Sequence, residues 1–247
     1  MKLLLLFILF SFSAVAKDMT VFSMNLHCGL DDWQKRMDVI IDEVIRLNPD
    51  VIGLQEVCYN AEMNMAKYIG DTLSRKGYPV KSQHTIDTHR SFVKYQEQLL
   101  IISRHAAQDL ESGNLPGPGF LQNGYISFRL GNLRFLTTHL HFALSSIRRS
   151  QYEFIQKKYG KQAVIIFGDL NSNPEDSETN VLKKALWTPF FDGPTFPSDN
   201  PKKTFDGYWM TEKFHEEVMA TTIDRIFLNR GTQPSDHLGI NLSILLR

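Results

Sequence analysis

Acidic, amide and imidazole side chains follow short apolar stretches at several places in this sequence. Five stretches end in this way and a sixth group precedes the last apolar stretch: Met24-Asn25, Leu54-Gln55-Glu56, Thr138-His139, Phe167-Gly168-Asp169-Leu170-Asn171, Thr222-Ile223-Asp224 and Ser235-Asp236-His237. A single charged residue at the end of a buried strand usually makes a loop contact. Six groups built from the same few residue types indicate instead one shared pocket at one edge of the sheets.

The chemistry that suits such a pocket involves a metal ion. Ionised carboxylates held close together repel one another and raise one another's pKa. A bound divalent cation removes that penalty, and carboxylate and amide oxygens are ligands for hard ions such as Mg²⁺ or Mn²⁺. A zinc enzyme is a poor fit, because the sequence contains no His-x-x-x-His or Cys-x-x-Cys spacing. Ser235, Asp236 and His237 are not the signature of a serine-protease triad, because no Gly-x-Ser-x-Gly elbow accompanies them.

Apolar periodicity predicts the elements that position these residues. Apolar residues from Trp33 to Ile45 recur at spacings of three and four, which predicts a helix over 32–48 that Asp31 or Asp32 can cap. Further helices are predicted over 61–76 and 145–158. Short apolar runs predict strands over 51–54, 98–103, 125–130, 133–139, 163–167, 222–228 and 238–246. Hairpins mixed with alternating strands and helices favour an α/β sandwich of two sheets with helices outside over a purely parallel sheet.

The motifs, taken together, resemble those of the endonuclease/exonuclease/phosphatase superfamily. The segments that carry the resemblance occur in the family's order: Ser23-Met24-Asn25-Leu26, Asp50-Val51-Ile52-Gly53-Leu54-Gln55-Glu56-Val57, Thr138-His139-Leu140, Gly168-Asp169-Leu170-Asn171, Ile223-Asp224-Arg225-Ile226-Phe227 and Ser235-Asp236-His237. The resemblance implies a four-layered sandwich, in which two mixed β-sheets pack face to face between outer helices. It also implies a metal-dependent phosphoester hydrolase that uses Mg²⁺ or Mn²⁺.

The resemblance further implies a role for each matching residue. Glu56 is the principal metal carboxylate, with Asn25 and Asp236 beside it. Asp169 and Asn171 position the attacking water and hold a phosphate oxygen.

Two histidines are implied to flank the scissile phosphate, His139 and His237. Asp224 is expected to hydrogen-bond His237 and so to set its tautomer. Glu97, in Tyr95-Gln96-Glu97-Gln98, stands where the family places the carboxylate partner of the first histidine.

The remaining histidines and two arginines receive structural interpretations. His141 is expected to be a partly exposed packing residue, and Arg90 and Arg149 to lie on solvated surfaces. Loop or surface positions are expected for His27, His84, His89, His105 and His215.

The first residues of the chain resemble a secretory signal peptide. One positive charge at Lys2 precedes an apolar run, which ends in Ala14-Val15-Ala16. Cleavage after Ala16 would leave one catalytic domain over 17–247, with no later segment apolar enough to span a membrane, and a secreted or periplasmic protein. Without Lys2 of the signal peptide, the 27 basic residues of the sequence become 26, against 27 acidic residues. This balance argues against a tight non-catalytic DNA binder, which usually carries an excess of positive charge.

The two cysteines, Cys28 and Cys58, can form a disulfide or remain as two reduced thiols. If the family's placement holds, Asn25 and Glu56 face one metal and their strand ends are neighbours. The loops that carry the cysteines then leave the sheet edge side by side. On that placement a Cys28–Cys58 bridge is predicted.

The substrate class is less clearly encoded. A phosphodiester of DNA or RNA, cleaved by a monomeric endonuclease, is the first hypothesis, and Tyr95-x-Glu97 resembles the Tyr-x-Glu of secreted deoxyribonucleases. Those enzymes carry arginine where this chain has Cys58, which weakens the hypothesis. A sphingomyelinase or phospholipase C acting on a lipid headgroup, and a small-molecule phosphatase, are the alternatives. A non-catalytic binding module is disfavoured, because none of the principal catalytic residues is missing.

Overall fold

A computed structural model describes residues 18–29, 32–90, 95–119, 122–226 and 234–247. The described strands are β1 (Asp18–Asn25), β2 (Val51–Tyr59), β3 (Ser82–Arg90), β4 (Gln96–Ser103), β5 (Gln108–Asn114), β6 (Gly124–Leu130), β7 (Leu133–His139), β8 (Val164–Asp169), β9 (Thr188–Phe190), β10 (Asp206–Met210), β11 (Val218–Ile226) and β12 (Gly239–Leu246). The described helices are α1 (Trp33–Leu47), α2 (Met65–Arg75), α3 (Ser145–Tyr159), α4 (Asn180–Lys184) and α5 (Glu212–Glu216), with a 3-10 turn over Ser177–Thr179.

The strands form two six-stranded mixed sheets. The first has the order β11-β12-β1-β2-β4-β3 and the second the order β5-β6-β7-β8-β10-β9. Within them β1 pairs parallel with β2, and β7 pairs parallel with β8. Parallel neighbours end at the same edge of a sheet, so the polar residues that follow these strands are brought together there.

Three apolar clusters separate four layers. Between the sheets, Val21 and Ile101 of the first pack with Phe135 and Phe167 of the second. Successive side chains of a strand point to opposite faces, so Phe22, next to Val21, lies in a different cluster, with α1 and α2. The outer face of the second sheet is covered by α3 and α4. The predicted four-layered sandwich is confirmed.

Two helix boundaries differ from the sequence prediction for local reasons. The second helix begins at Met65 rather than near 61, because Asn64 caps it by accepting from the Lys67 amide at 2.9 Å. At the start of α1, Asp32 occupies the cap position in a left-handed conformation and its side chain makes no capping hydrogen bond. The prediction that Asp32 caps this helix is therefore wrong, and Asp31 lies outside the described residues.

In the described ranges, no helix is both long and apolar enough to cross a bilayer. The predicted signal peptide, residues 1–16, lies outside those ranges.

Candidate active site

A cavity of about 490 Å³ lies at the edge of the sandwich where β7 and β8 end. Most of the residues predicted for the site line it: Glu56, Glu97, His139, Asp169, Asn171, Asp236 and His237. Asn25 is fully buried behind them. Asp224 is the exception, because it is exposed on β11.

Asn25 connects the two sheets at the base of the cavity. Its Nδ2 donates to Glu56 Oε1 at 2.9 Å and to Asp169 Oδ2 at 3.0 Å. Its Oδ1 accepts from the His27 amide at 2.9 Å. In this arrangement Asn25 orients both carboxylates through its amide hydrogens.

Glu56 reaches the cavity because β2 is interrupted at this point. The pairing of β2 with β4 shifts between Leu54 and Val57, and Glu56 adopts a φ of 52°. The Cys28 amide donates to Glu56 Oε2 at 3.1 Å. Both carboxylate oxygens are therefore held by neighbouring N–H groups.

Asp169 and Asn171 are fixed by the turn that follows β8. The φ of 139° at Gly168 favours glycine, and a Cβ there would lie 2.0 Å from the Thr138 carbonyl oxygen. Asp169 Oδ1 accepts from the Asn171 amide at 3.0 Å, and Asn171 Nδ2 donates to the Leu140 carbonyl at 3.0 Å. The turn thus leaves Asp169 Oδ2 facing Asn25 and the histidines.

His237 is oriented by a buried carboxylate. Its Nδ1 lies 2.9 Å from Asp206 Oδ2, which also accepts from Thr195 Oγ1 at 2.5 Å. Its Nε2 lies 3.7 Å from Asp169 Oδ2. Burial acts to lower the pKa of His237, but the negative charges of Asp206 and Asp169 outweigh it and raise the pKa above its usual range.

The prediction that Asp224 orients His237 is wrong, and Asp206 has that position. On the edge strand β11, Asp224 pairs with Asn241 of β12 and its side chain is exposed. Asp206 begins β10, which runs antiparallel to β8 and places Asp206 opposite Asp169. The first residue of an antiparallel strand reaches the same sheet edge as the last residue of its neighbour. One sequence pattern could have identified Asp206. It is an acidic residue at the start of a short apolar strand, here followed by Tyr208-Trp209-Met210.

His139 and Glu97 occupy the other side of the cavity. His139 Nε2 lies 3.5 Å from Asp169 Oδ2, and its carbonyl accepts from Asn123 Nδ2 at 3.0 Å. Burial, with a further contribution from the negative charge of Glu56, raises the pKa of Glu97 to about 7, while His139 opposes the shift. Glu97 and His139 share the cavity, but they form no hydrogen bond with each other in the described structure.

His27, which the sequence analysis assigned to a loop or the surface, lies in the loop after β1 but faces the site. Its Nδ1 lies 3.0 Å from Asp236 Oδ1, and this carboxylate raises the pKa of His27 against the effect of burial. His27 has a φ of 53°, and its carbonyl and that of Leu26 accept from the buried Arg36 guanidinium at 3.0–3.4 Å. Sequence reasoning missed both His27 and Arg36.

The donor groups on this side of the cavity fit a divalent cation. Glu56 and Asp236 supply carboxylate oxygens, and the ring of His27, whose Nδ1 lies 3.0 Å from Asp236 Oδ1, places an imidazole beside them. Asp169, Asp206 and His237 form a tighter group, with ligand atoms within 4.8 Å of one another. That group already satisfies itself through the contact between His237 and Asp206, so Glu56 and Asp236 are the better candidates for holding an ion, with His27 adding a nitrogen.

The predicted disulfide between Cys28 and Cys58 is confirmed, with a Cα–Cα distance of 5.3 Å. It joins the loop after β1 to the end of β2. Because Cys28 also donates to Glu56, the bridge braces the carboxylate as well as the fold.

Loss of this disulfide is expected to destabilise the protein by roughly 3–4 kcal/mol, the loop-closure value for a loop of this size. Urea unfolding of the oxidised protein, the reduced protein and a Cys28→Ser/Cys58→Ser variant measures this. The reduced protein and the variant should share a lower midpoint, and reductant should not move the midpoint of the variant. Equal midpoints for oxidised and reduced protein would contradict the expected stabilisation.

The other histidines and arginines were expected to be packing or surface residues, and the structure describes most of them. His141 is buried, not partly exposed, and its Nδ1 accepts from the Ala143 and Leu144 amides in the loop before α3. Arg149 is exposed and pairs with Glu153, as expected for a solvated helix face. Away from the residues that line the cavity lie His84, His105 and His215. The side chains of His89 and Arg90 are outside the described residues.

Comparison with known proteins identifies similar sequences and folds. A model of the Endonuclease/Exonuclease/phosphatase family matches residues 22–237. Carbon catabolite repressor protein 4 homolog 3 of Arabidopsis thaliana is 25% identical over 173 residues, which are 62% of this chain and 36% of that protein. This chain therefore spans about a third of the relative's length.

Solved structures show the same fold at lower identity. An endonuclease/exonuclease/phosphatase family protein from Leptotrichia buccalis superposes with a TM-score of 0.73 at 19% identity, over 92% of this chain and 99% of that one. The human Nocturnin catalytic domain with bound sulfate anion superposes with a TM-score of 0.66 at 16% identity, over 93% and 94% of the two chains.

Proposed function

The chain belongs to the endonuclease/exonuclease/phosphatase family, and we propose that it is an exported phosphodiester hydrolase that uses Mg²⁺ or Mn²⁺ and acts on nucleic acid. Members of the family are generally phosphoester hydrolases that use divalent metal ions. The observation that carries the proposal is the convergence of two imidazoles on one carboxylate. His139 Nε2 and His237 Nε2 lie 3.5 Å and 3.7 Å from Asp169 Oδ2, beside the carboxylates of Glu56 and Asp236.

These residues divide the work of phosphodiester hydrolysis between them. Asp206 fixes His237 with Nδ1 directed to its carboxylate, so Nε2 faces the cavity as the atom that exchanges a proton with substrate or water. Asp169 Oδ2 is the acceptor through which a water molecule would be oriented and deprotonated. A divalent ion held by Glu56 and Asp236 would supply positive charge that offsets the negative charge of the phosphate.

Export is supported by the Cys28–Cys58 disulfide. Disulfides persist in secreted and periplasmic proteins and are rare in the reducing cytosol. The proposal of export therefore has a basis independent of the predicted signal peptide, and we propose with it that 17–247 form one catalytic domain.

A lipid phosphodiester is the second candidate substrate, and one observation favours it. Phe142, which lines the cavity, is 66% exposed, and Leu144, two residues later in the loop between β7 and α3, is 53% exposed. Lipid-cleaving enzymes need apolar contacts with a membrane, and exposed apolar side chains near a site provide them.

A substrate panel tests the proposed function. Supercoiled DNA, single-stranded RNA, sphingomyelin vesicles and an aryl phosphodiester are each incubated with Mg²⁺, Mn²⁺ or EDTA. We expect metal-dependent cleavage of nucleic acid, and no cleavage by an Asp169→Asn variant purified in parallel, which controls for contaminating nucleases. Hydrolysis of sphingomyelin without cleavage of DNA or RNA would replace the nuclease with a phospholipase. Inactivity on every substrate would overturn the proposed function.

A further inference from the structure

Phe142 is an exposed aromatic side chain that lines the catalytic cavity. It follows His139 by three residues in the loop between β7 and α3, and 66% of it is exposed. Its ring lies parallel to that of His141, with 5.4 Å between the ring centroids. An exposed phenylalanine is ordinary on a protein surface, but one at the rim of an active site is placed to contact substrate.

The loop that carries Phe142 is held in one conformation by buried polar groups. His141 Nδ1 accepts from the Ala143 and Leu144 amides at 3.2 and 3.1 Å. The buried Arg148 also donates to the backbone carbonyls of His141 and Phe142, at 3.0 and 3.4 Å. Phe142 is therefore presented on a fixed backbone, which lowers the entropic cost of stacking on a ligand.

Arg148 is itself fixed by Glu178. Arg148 Nη2 lies 2.6 Å from Glu178 Oε1, and both side chains are buried. The ion pair ties the loop to the 3-10 turn before α4, so the loop has no freedom to fold Phe142 away into the core.

Other rings line the cavity on the side of His237. Phe196 and Phe205 have centroids 5.6 Å apart, and the Phe196 ring lies 4.9 Å from the imidazole of His237. Aromatic rings thus lie against His237 and, at Phe142, elsewhere on the lining of the same cavity. A substrate with flat apolar rings on its phosphoester groups would match these surfaces.

The charges of the cavity disfavour a long duplex. Among the described residues that line the cavity, Lys203 is the one lysine or arginine, whereas Glu56, Glu97, Asp169 and Asp236 are acidic. The whole sequence carries 27 basic and 27 acidic residues. Proteins that hold continuous duplex rely on many phosphate contacts, while proteins that hold unpaired nucleotides rely on aromatic stacking.

We propose that Phe142 is a specificity-determining residue that stacks on an unpaired nucleobase next to the scissile phosphate. The inference rests on the proposed function and narrows its substrate to single-stranded or terminal nucleotides.

The test compares thymidylyl-thymidine, which has one phosphodiester, with an analogue in which both thymines are replaced by hydrogen. We expect the wild-type enzyme to have a kcat/KM about tenfold higher on the dinucleotide, since that is the effect typical of one base–aromatic stack. Phe142→Ala should lose most of this preference, by lowering kcat/KM on the dinucleotide far more than on the abasic analogue. Phe142→Tyr should retain it.

Leu144→Ala is the matched control, because Leu144 is exposed in the same loop and is not among the residues that line the cavity. It should keep the wild-type preference. Equal loss on both substrates in Phe142→Ala, or no loss on either, would overturn the inference. So would an unchanged dinucleotide preference combined with lost hydrolysis of sphingomyelin vesicles, which would assign Phe142 to a membrane surface. A wild-type enzyme that cleaves DNA or RNA but shows no preference for the dinucleotide over its analogue, or cleaves neither of them, would overturn the inference alone. Inactivity on these two compounds and on every substrate of the panel would overturn the proposed function itself.

Discussion

Replacing His237 by alanine is expected to lower kcat by at least ~10²-fold, the usual scale for a general acid–base group. Its Nε2 faces Asp169 across the cavity, while its Nδ1 is committed to the buried Asp206. Alanine removes the proton-carrying atom and leaves Asp206 buried without its partner. Steady-state hydrolysis of the best substrate from the panel measures kcat, and near-normal kcat in a correctly folded His237→Ala protein would contradict the mechanism.

Two conservative variants show whether the loss comes from orientation of the imidazole. Asp206→Asn keeps the size of the side chain but removes the charge that sets the tautomer of His237, so a loss smaller than that of His237→Ala is expected. Asp224→Asn makes the same chemical change on the exposed face of β11 and should leave kcat close to wild type. Circular dichroism and thermal unfolding establish that each variant is folded. Equal losses in the two variants would show that Asp206 has no special role.

The sequence predicted the architecture and the residues at the ends of parallel strands. Asn25 ends β1, Glu56 lies at the irregularity of β2, and His139 and Asp169 end β7 and β8, which pair parallel as β1 and β2 do. Each of these residues stands at or near the end of a largely apolar segment, and parallel pairing brings such ends to one edge. Local pattern and tertiary position therefore agree for this part of the site.

Residues delivered by antiparallel strands were harder to predict. Asp206 enters the site at the beginning of β10, and it meets His237, which is 31 residues later in the chain. The sequence does not state which of several aspartates lies under a histidine, because register between distant strands depends on the whole sheet. Asp224 had the right motif, but it lies on an edge strand that turns its side chain to solvent.

Conformation, more than residue type, hid the role of His27. Its left-handed backbone turns the ring towards Asp236, and this conformation is held by Arg36 from a different element.

The edge strand β5 was not predicted from the sequence, because it depends on its neighbour rather than on its own residue pattern. Its sequence is polar and largely exposed, so it has no apolar periodicity and forms a strand only by pairing with β6.

Removing divalent metal is expected to abolish hydrolysis, and adding Mg²⁺ or Mn²⁺ to restore it. Glu56, Asp236 and Glu97 line one cavity, and a phosphodiester would bring a further negative charge among them. Without a cation this arrangement repels the substrate. Burial and the charge of Glu56 also raise the pKa of Glu97 to about 7. Full activity in excess chelator would contradict metal dependence.

Ion binding can be measured without turnover, which separates a lost ion from a lost catalytic group. Isothermal titration with Mn²⁺ should detect a site in the wild-type protein, and Glu56→Gln should weaken it by at least tenfold because one ligand charge is lost. Glu153→Gln makes the same change on the exposed face of α3 and serves as the control. His27→Ala should weaken Mn²⁺ binding more than Mg²⁺ binding, because imidazole nitrogen suits the softer transition ion and Nδ1 of His27 lies 3.0 Å from the candidate ligand Asp236. If Glu56→Gln bound Mn²⁺ as the wild type does, Glu56 would not be the metal carboxylate, and the ion would have to be sought at Asp169 and His237.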